Sequence, residues 1–128
     1  MNVANYIVNF VANRGVKNIF MITGLQAMFL NDAVYQNKKI KPIFHHHEQA
    51  AGMAAEAYGR MTGNLGVAMV TAGPAAVNVL NGVVGAWVDS APMMVISGQS
   101  SSTNVSYMAS SGIRQYGLQG IYMQPLAS

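Results

Sequence analysis

The stretch LGVAMVTAGP, Leu65 to Pro74, constrains the fold more than any other part of the chain. Its apolar residues are consecutive rather than alternating, and glycine and proline close the run. A strand with one wet face alternates apolar and polar side chains. A strand apolar on both faces belongs to a sheet covered on both sides, the usual condition of a parallel sheet. PMMVISG (Pro92 to Gly98) repeats the pattern, and NIFMIT (Asn18 to Thr23) and Ile40 to Phe44 are shorter strands of the same kind.

Helical spacing fills the intervals. Val3, Tyr6, Ile7, Phe10 and Val11 mark a first helix, stopped near Gly15. A second covers Gln26 to Tyr35, a third Glu48 to Gly63, and a fourth runs unbroken from about Ala75 to Val88. Strands alternating with helices predict an α/β domain, a three-layer α/β/α sandwich with a mainly parallel sheet joined by right-handed crossovers. At 128 residues the chain holds one domain with one core. SSSTNVSYMASSG after Gln99 is expected to be a surface loop, and the abrupt end at MQPLAS points to a piece of a longer protein.

Composition narrows the function classes. Only 9% of residues are charged, and the +3 net charge reflects scarce acids rather than abundant bases. Lys38, Lys39 and Lys41 form one small basic cluster without interleaved aromatic residues, which suits a solvated turn and no nucleic acid. Without cysteine there are no disulfides or thiolate metal sites. The start, MNVANYIVNFVANRG, lacks the pattern of a signal peptide, and no apolar run reaches the ~18 residues of a membrane span. A cytoplasmic location and no membrane partner are expected.

The acids are few enough to take singly. Asp32 and Glu56 fall within helices and are expected to be solvated or locally paired; Asp89 ends a helix and suits a turn or cap. Glu48 follows a strand and opens a helix, at the carboxyl edge of the sheet where open α/β folds bind ligands. Stabilisation of the helix dipole, a few tenths to ~1 kcal/mol, is the plain alternative. Ala50, Ala51, Gly52, Ala54 and Ala55 leave little bulk after it, for close approach to a flat ligand or to another helix. The neighbouring His45, His46 and His47 do not make HExxH, since Ala51 stands where the second histidine would be. Consecutive strand residues point to alternate faces, so no metal site is expected there. TAGPAAVN (Thr71 to Asn78) is a tight strand-to-helix turn, and neither GxxxxGK[ST] nor GxGxxG occurs.

Four ordered motifs together resemble the amino-terminal, pyrimidine-binding domain of thiamine-diphosphate enzymes, the acetolactate synthase and 2-oxo acid decarboxylase superfamily. HEQAAGMAAEAYGRMTG (His47 to Gly63) is similar to that family's glutamate helix, and TAGPAAVN to its glycine-proline turn, with Ala75 where a glycine is usual. GAWVDSAPMMVISGQ (Gly85 to Gln99) resembles its next helix and strand. IRQYGLQG (Ile113 to Gly120) resembles a later loop, with Gln119 kept and Gly120 in place of an acid. MITG (Met21 to Gly24) keeps only the last glycine of a glycine-x-proline-glycine turn.

The resemblance implies a flavodoxin-like fold and a role for each matching residue. Glu48 would be the catalytic glutamate, hydrogen-bonded to N1′ of the cofactor's aminopyrimidine and so activating C2 of its thiazolium ring. Pro74, Asn78 and Gly24 would line the cofactor pocket, with Gln119 and His47 on the substrate side. The small-residue wall would desolvate Glu48. In that family a separate domain with a GDG…NN signature holds the diphosphate and its Mg²⁺. No GDG occurs here, so this domain would supply half a site and bind no metal itself. The implied protein is at least a homodimer acting on pyruvate or another 2-oxo acid, and FAD in a central domain is compatible with it. The alternatives are the small subunit of a two-chain 2-oxo acid decarboxylase and a non-catalytic α/β assembly module.

Overall fold

The computed structural model describes residues 2–99. The elements in chain order are α1 (Val3–Asn13), β1 (Asn18–Met21), α2 (Met28–Gln36), β2 (Lys41–Phe44) and α3 (Glu48–Thr62). They continue with β3 (Gly66–Val70), α4 (Pro74–Asn78), α5 (Leu80–Val88) and β4 (Met93–Ser97). A single 3-10 turn, Leu25–Ala27, leads into α2. The four strands pair in parallel in the order β2-β1-β3-β4. Register runs Asn18 opposite Lys41, Ile19 opposite Val67, and Gly66 opposite Met93. Chain order reverses between β1 and β3, which makes that junction the topological switch point.

Local chemistry explains the boundaries. The Asn2 side chain accepts from Asn5 N–H at 2.8 Å and caps α1. At the far end of α1, Gly15 takes φ +85° and turns the chain toward β1. Helix α3 stops at Gly63, whose φ of 67° is left-handed, with its N–H returned to Gly59 O at 2.9 Å. The lysine turn is solvated as expected: Lys38, Lys39 and Lys41 are exposed, and Lys39 Nζ lies 3.4 Å from Asn13 Oδ1.

Apolar burial assembles two clusters, one on each face of the sheet. Ile19, Met21, Val67 and Met69 face α1 and α2 with Val8, Val11 and Val34. Ala68 and Val70 face the other layer with Ala55, Ala75 and Val79, and Phe20 and Val95 pack at its margin. All five residues of β3 are buried, as its unbroken apolar sequence requires. Each fully buried Ile, Met or Val contributes about 1.5–3 kcal/mol relative to exposure. The three-layer, parallel α/β expectation therefore holds. Among the described residues no helix is long and apolar enough to cross a membrane.

One helix differs from its sequence reading. The stretch after Gly73 is not continuous from Ala75 to Val88 but breaks at Val79 into α4 and α5. Val79 is wholly buried, and a Cβ built on Gly52 of α3 would lie 2.9 Å from its Cγ2 and its carbonyl oxygen. A Cβ on Gly82 would run into the Gly52 backbone. Helices α3 and α5 thus cross with backbone nearly touching backbone, which only glycine permits at these two positions. The small residues of α3 are used here: Ala51, Gly52, Ala55 and Gly59 are buried. These four pack within the protein, whereas Ala50 is exposed and Ala54 half-buried.

The other acids behave as local partners. Asp32 Oδ1 lies 3.5 Å from Gln36 Nε2 on the same helix. Arg60 joins Glu56, one turn back, and Asp89, at 2.5 Å, tying the end of α3 to the end of α5. Asp89 is also the C-cap residue of α5. Asp89 first and Glu56 second hold the Arg60 guanidinium in its charged form, raising its pKa further.

Candidate functional site

The site is built where β2 and β3 end. Beyond Phe44, His45 N–H still donates to Met21 O at 3.0 Å, so the chain leaves the sheet in register with β1. His46 and His47 complete the turn, and Glu48 begins α3. His47 is the N-cap residue, in extended backbone (φ −151°, ψ 140°), and its ring Nδ1 accepts from Gln49 N–H at 3.1 Å. This satisfies one of the orphan donors of the first turn and fixes the direction in which the helix starts.

A second turn brings in the partner. After β3, Gly73 adopts φ 68° and ψ −126°, a conformation outside the reach of ordinary L residues, and Pro74 occupies the first turn of α4. The short α4 ends on Asn78, whose Nδ2 donates to Glu48 Oε2 at 3.0 Å. One carboxylate oxygen is thereby held, while Oε1 makes no hydrogen bond among the described residues. Glu48 is half-buried, and Pro74 and Asn78 are exposed along the same rim. Of the residues expected to form the site, the structure brings Glu48 and Asn78 into contact, with Pro74 one turn away.

Gly24 stands across the switch point. A Cβ there would lie 2.5 Å from Thr71 Cβ, so the end of β1 closes directly onto the end of β3. Around it sits a polar cluster that sequence reasoning missed. Thr71 Oγ1 lies 3.4 Å from Gln26 Oε1, Ser97 Oγ donates to Thr71 O at 3.0 Å, and Asn31 Nδ2 donates to Gly24 O at 3.4 Å. The available signal was positional: Thr71 and Ser97 each follow or end an apolar strand at the carboxyl edge.

The histidine triplet splits in three directions. His45 is half-buried, its ring tilted against Phe20 at 5.9 Å between centroids, and its Nε2 is buried with no partner among the described residues. His46 and His47 are exposed, and only His47 caps the helix. Among the described residues no group of three or more His, Asp and Glu side chains is placed to hold a metal ion. Gln119, the loop IRQYGLQG and the serine-rich stretch before it lie outside the described residues.

The arrangement can do limited chemistry by itself. It presents a carboxylate with one oxygen free to exchange a proton with a basic nitrogen, steadied by an amide, above the end of a rigid sheet. Glu48, Asn78 and Pro74 fit a flat heterocycle bearing a ring nitrogen, because Oε1 is available and the rim beside it carries a proline ring rather than charge. The cavity of about 410 Å³ lined by Val3, Ile7, Gln26, Phe29, Leu30 and Ser97 draws on α1 and α2 instead.

Comparison with known proteins identifies the family. Residues 1–125 match the family described as thiamine pyrophosphate enzyme, N-terminal TPP binding domain. An acetolactate synthase large subunit of Buchnera aphidicola (subsp. Schizaphis graminum) is 39% identical over 106 residues, 83% of this chain and 19% of the relative. The isozyme 3 large subunit of acetolactate synthase from Escherichia coli K12 is 36% identical over 83% of this chain and 18% of its own length. The mitochondrial acetolactate synthase of Schizosaccharomyces pombe is 40% identical over 71% of this chain and 14% of its own. The chain thus spans less than a fifth of the length of the relatives it matches.

Proposed function

Because the chain belongs to the family of N-terminal TPP-binding domains of thiamine pyrophosphate enzymes, we propose that it supplies the cofactor-activating glutamate of an acetolactate synthase-like enzyme. Its substrate is pyruvate or another 2-oxo acid, decarboxylated and then joined to an acceptor. The observation that carries this reading is Glu48, held at Oε2 by Asn78 and free at Oε1, at the carboxyl edge of the sheet.

Thiamine diphosphate, when bound, would supply the electron sink for decarboxylation of the 2-oxo acid. The residues of this chain recognise and poise it. Glu48 Oε1 would meet the aminopyrimidine ring nitrogen N1′, an acceptor, and would hold and exchange the proton shared with it. Asn78 keeps the carboxylate from rotating away during that exchange, and Pro74 offers an apolar edge to the ring. Gly24 and Thr71 close the sheet end beneath. Rigid support from β2, β3 and α4 means little reorganisation accompanies the proton transfer.

The diphosphate and Mg²⁺ belong on a second domain, from a partner copy in a homodimer or larger assembly. Exposed apolar side chains on the same helices support such a partner: Val77 on α4, Val84, Trp87 and Val88 on α5, and Met53 on α3. A cytoplasmic location goes with this reading.

The test is Glu48→Gln in the full protein, which preserves size and the Asn78 contact but cannot carry the proton. Turnover of 2-oxo acid falls by roughly 10²–10⁴-fold, the range for a lost general acid–base group. Exchange of the cofactor C2 proton, followed by NMR, slows with it. Unchanged turnover and exchange would refute the reading.

A further inference from the structure

The geometry points to a second binding site on this chain, the cavity of about 410 Å³ between α1 and α2. Its ligand is a small uncharged molecule with an apolar body and a terminal carbonyl. The volume falls within the roughly 300–1,000 Å³ of small-molecule sites. Val3 and Ile7 of α1 and Phe29 and Leu30 of α2 line its apolar part, and Gln26 and Ser97 its polar end. That end lies at the carboxyl edge of the sheet, where open α/β folds take ligands, and Gln26 follows Gly24 beside the switch point. No described residue lining the cavity is ionisable. A charged ligand would lose its hydration there with no counter-charge to replace it, so the site favours a neutral one.

Gln26 supplies the polar contact. It is half-buried, and Thr71 Oγ1 donates to its Oε1 at 3.4 Å, which leaves Nε2 a donor without a partner among the described residues. Thr71 is itself anchored, its carbonyl accepting from Ser97 Oγ at 3.0 Å. On the other side Gly98 stands so close that a Cβ there would collide with Gln26 O. Backbone and amide of Gln26 are thus both held, and binding costs little rearrangement. An amide N–H needs an acceptor, and a carbonyl oxygen provides one without charge. Helices α1 and α2 cover the face of the sheet opposite α3, which carries Glu48, so this site is additional to that of the proposed function.

The test is methyl NMR of the full protein, labelled at Ile, Leu and Val and titrated with cyclohexanecarboxamide or with cyclohexanecarboxylate. The two probes share a ring and differ in charge. The amide shifts the Ile7 and Leu30 methyls saturably, and the carboxylate at the same concentration leaves them in place. Gln26→Leu keeps the bulk and removes the donor, and weakens the amide's affinity roughly fivefold, the worth of one neutral hydrogen bond. Phe29→Ala, at a position 68% exposed, removes part of the wall without opening the core and weakens it as well. No saturable shift with the amide, an equal response to the carboxylate, or wild-type affinity in both variants would overturn the inference. So would contacts between those methyls and residues after Gln99 that persist at saturating amide, because the chain itself would then fill the cavity. None of these results depends on Glu48→Gln, on which the proposed function stands or falls.

Discussion

Two glycines of α5, three residues apart, should respond to the same substitution with opposite signs. A Cβ on Gly82 would lie 2.6 Å from Gly52 O and 2.9 Å from Gly52 Cα, whereas on Gly85 its nearest neighbour is Glu56 Cγ at 4.0 Å. Ordinary contact distances are about 3.5–4.0 Å, so Gly82→Ala must push α3 and α5 apart by roughly 1 Å. Overpacking of this kind costs about 1–3 kcal/mol, and the upper end applies because the obstacle is backbone. Replacing glycine within a helix returns about 1 kcal/mol. Gly82→Ala should therefore destabilise by about 2 kcal/mol, and Gly85→Ala should stabilise by up to about 1 kcal/mol. Urea unfolding followed by circular dichroism reads both as midpoint shifts at constant m. A Gly82→Ala protein as stable as Gly85→Ala would refute the close crossing. The shift should also reach the site, because α3 carries Glu48 and α4, joined to α5 at Val79, carries Asn78. C2 proton exchange in Gly82→Ala should slow even at temperatures where the protein remains folded.

Asn78→Ala should slow C2 proton exchange by roughly fivefold, since one hydrogen bond worth about 1 kcal/mol steadies the half-buried Glu48 carboxylate. Stopped-flow exchange with the full protein measures it, and a wild-type rate would show that the contact does not orient Glu48. The 128-residue chain alone should bind thiamine diphosphate weakly or not at all, because its sequence contains no GDG signature for a diphosphate site. Titration calorimetry giving micromolar affinity without a partner domain would contradict the half-site assignment.

Much of this was legible in the sequence because burial on both faces leaves a mark on every residue of a strand. Gly66–Val70 could be read at once, and so could the place of Glu48 at a strand-to-helix junction. The break at Val79 could not. No glycine or proline announces it within AAVNVLN, and Val79 packs against Gly52, distant in sequence and adjacent only after folding. The small residues of α3 were visible, but their partner was not: a stripe of alanine and glycine looks alike beside a ligand or a helix. The separate surroundings of the histidines were not legible either, since three adjacent identical residues received three environments from one change of backbone direction.

The contact between Glu48 and Asn78 joins residues 30 apart, and β3 lies between them in the chain while threading beside β1 in the sheet. Neither helix can form that contact through local structure alone. During synthesis the pair cannot meet until β3 has left the ribosome and docked, so the Glu48 carboxylate is oriented late in folding rather than early. A partly folded chain with α1, β1, α2 and β2 in place would hold native secondary structure and yet lack any means of engaging its cofactor. Cofactor capture would then act as a check on completed folding, available only to chains that have inserted their central strand.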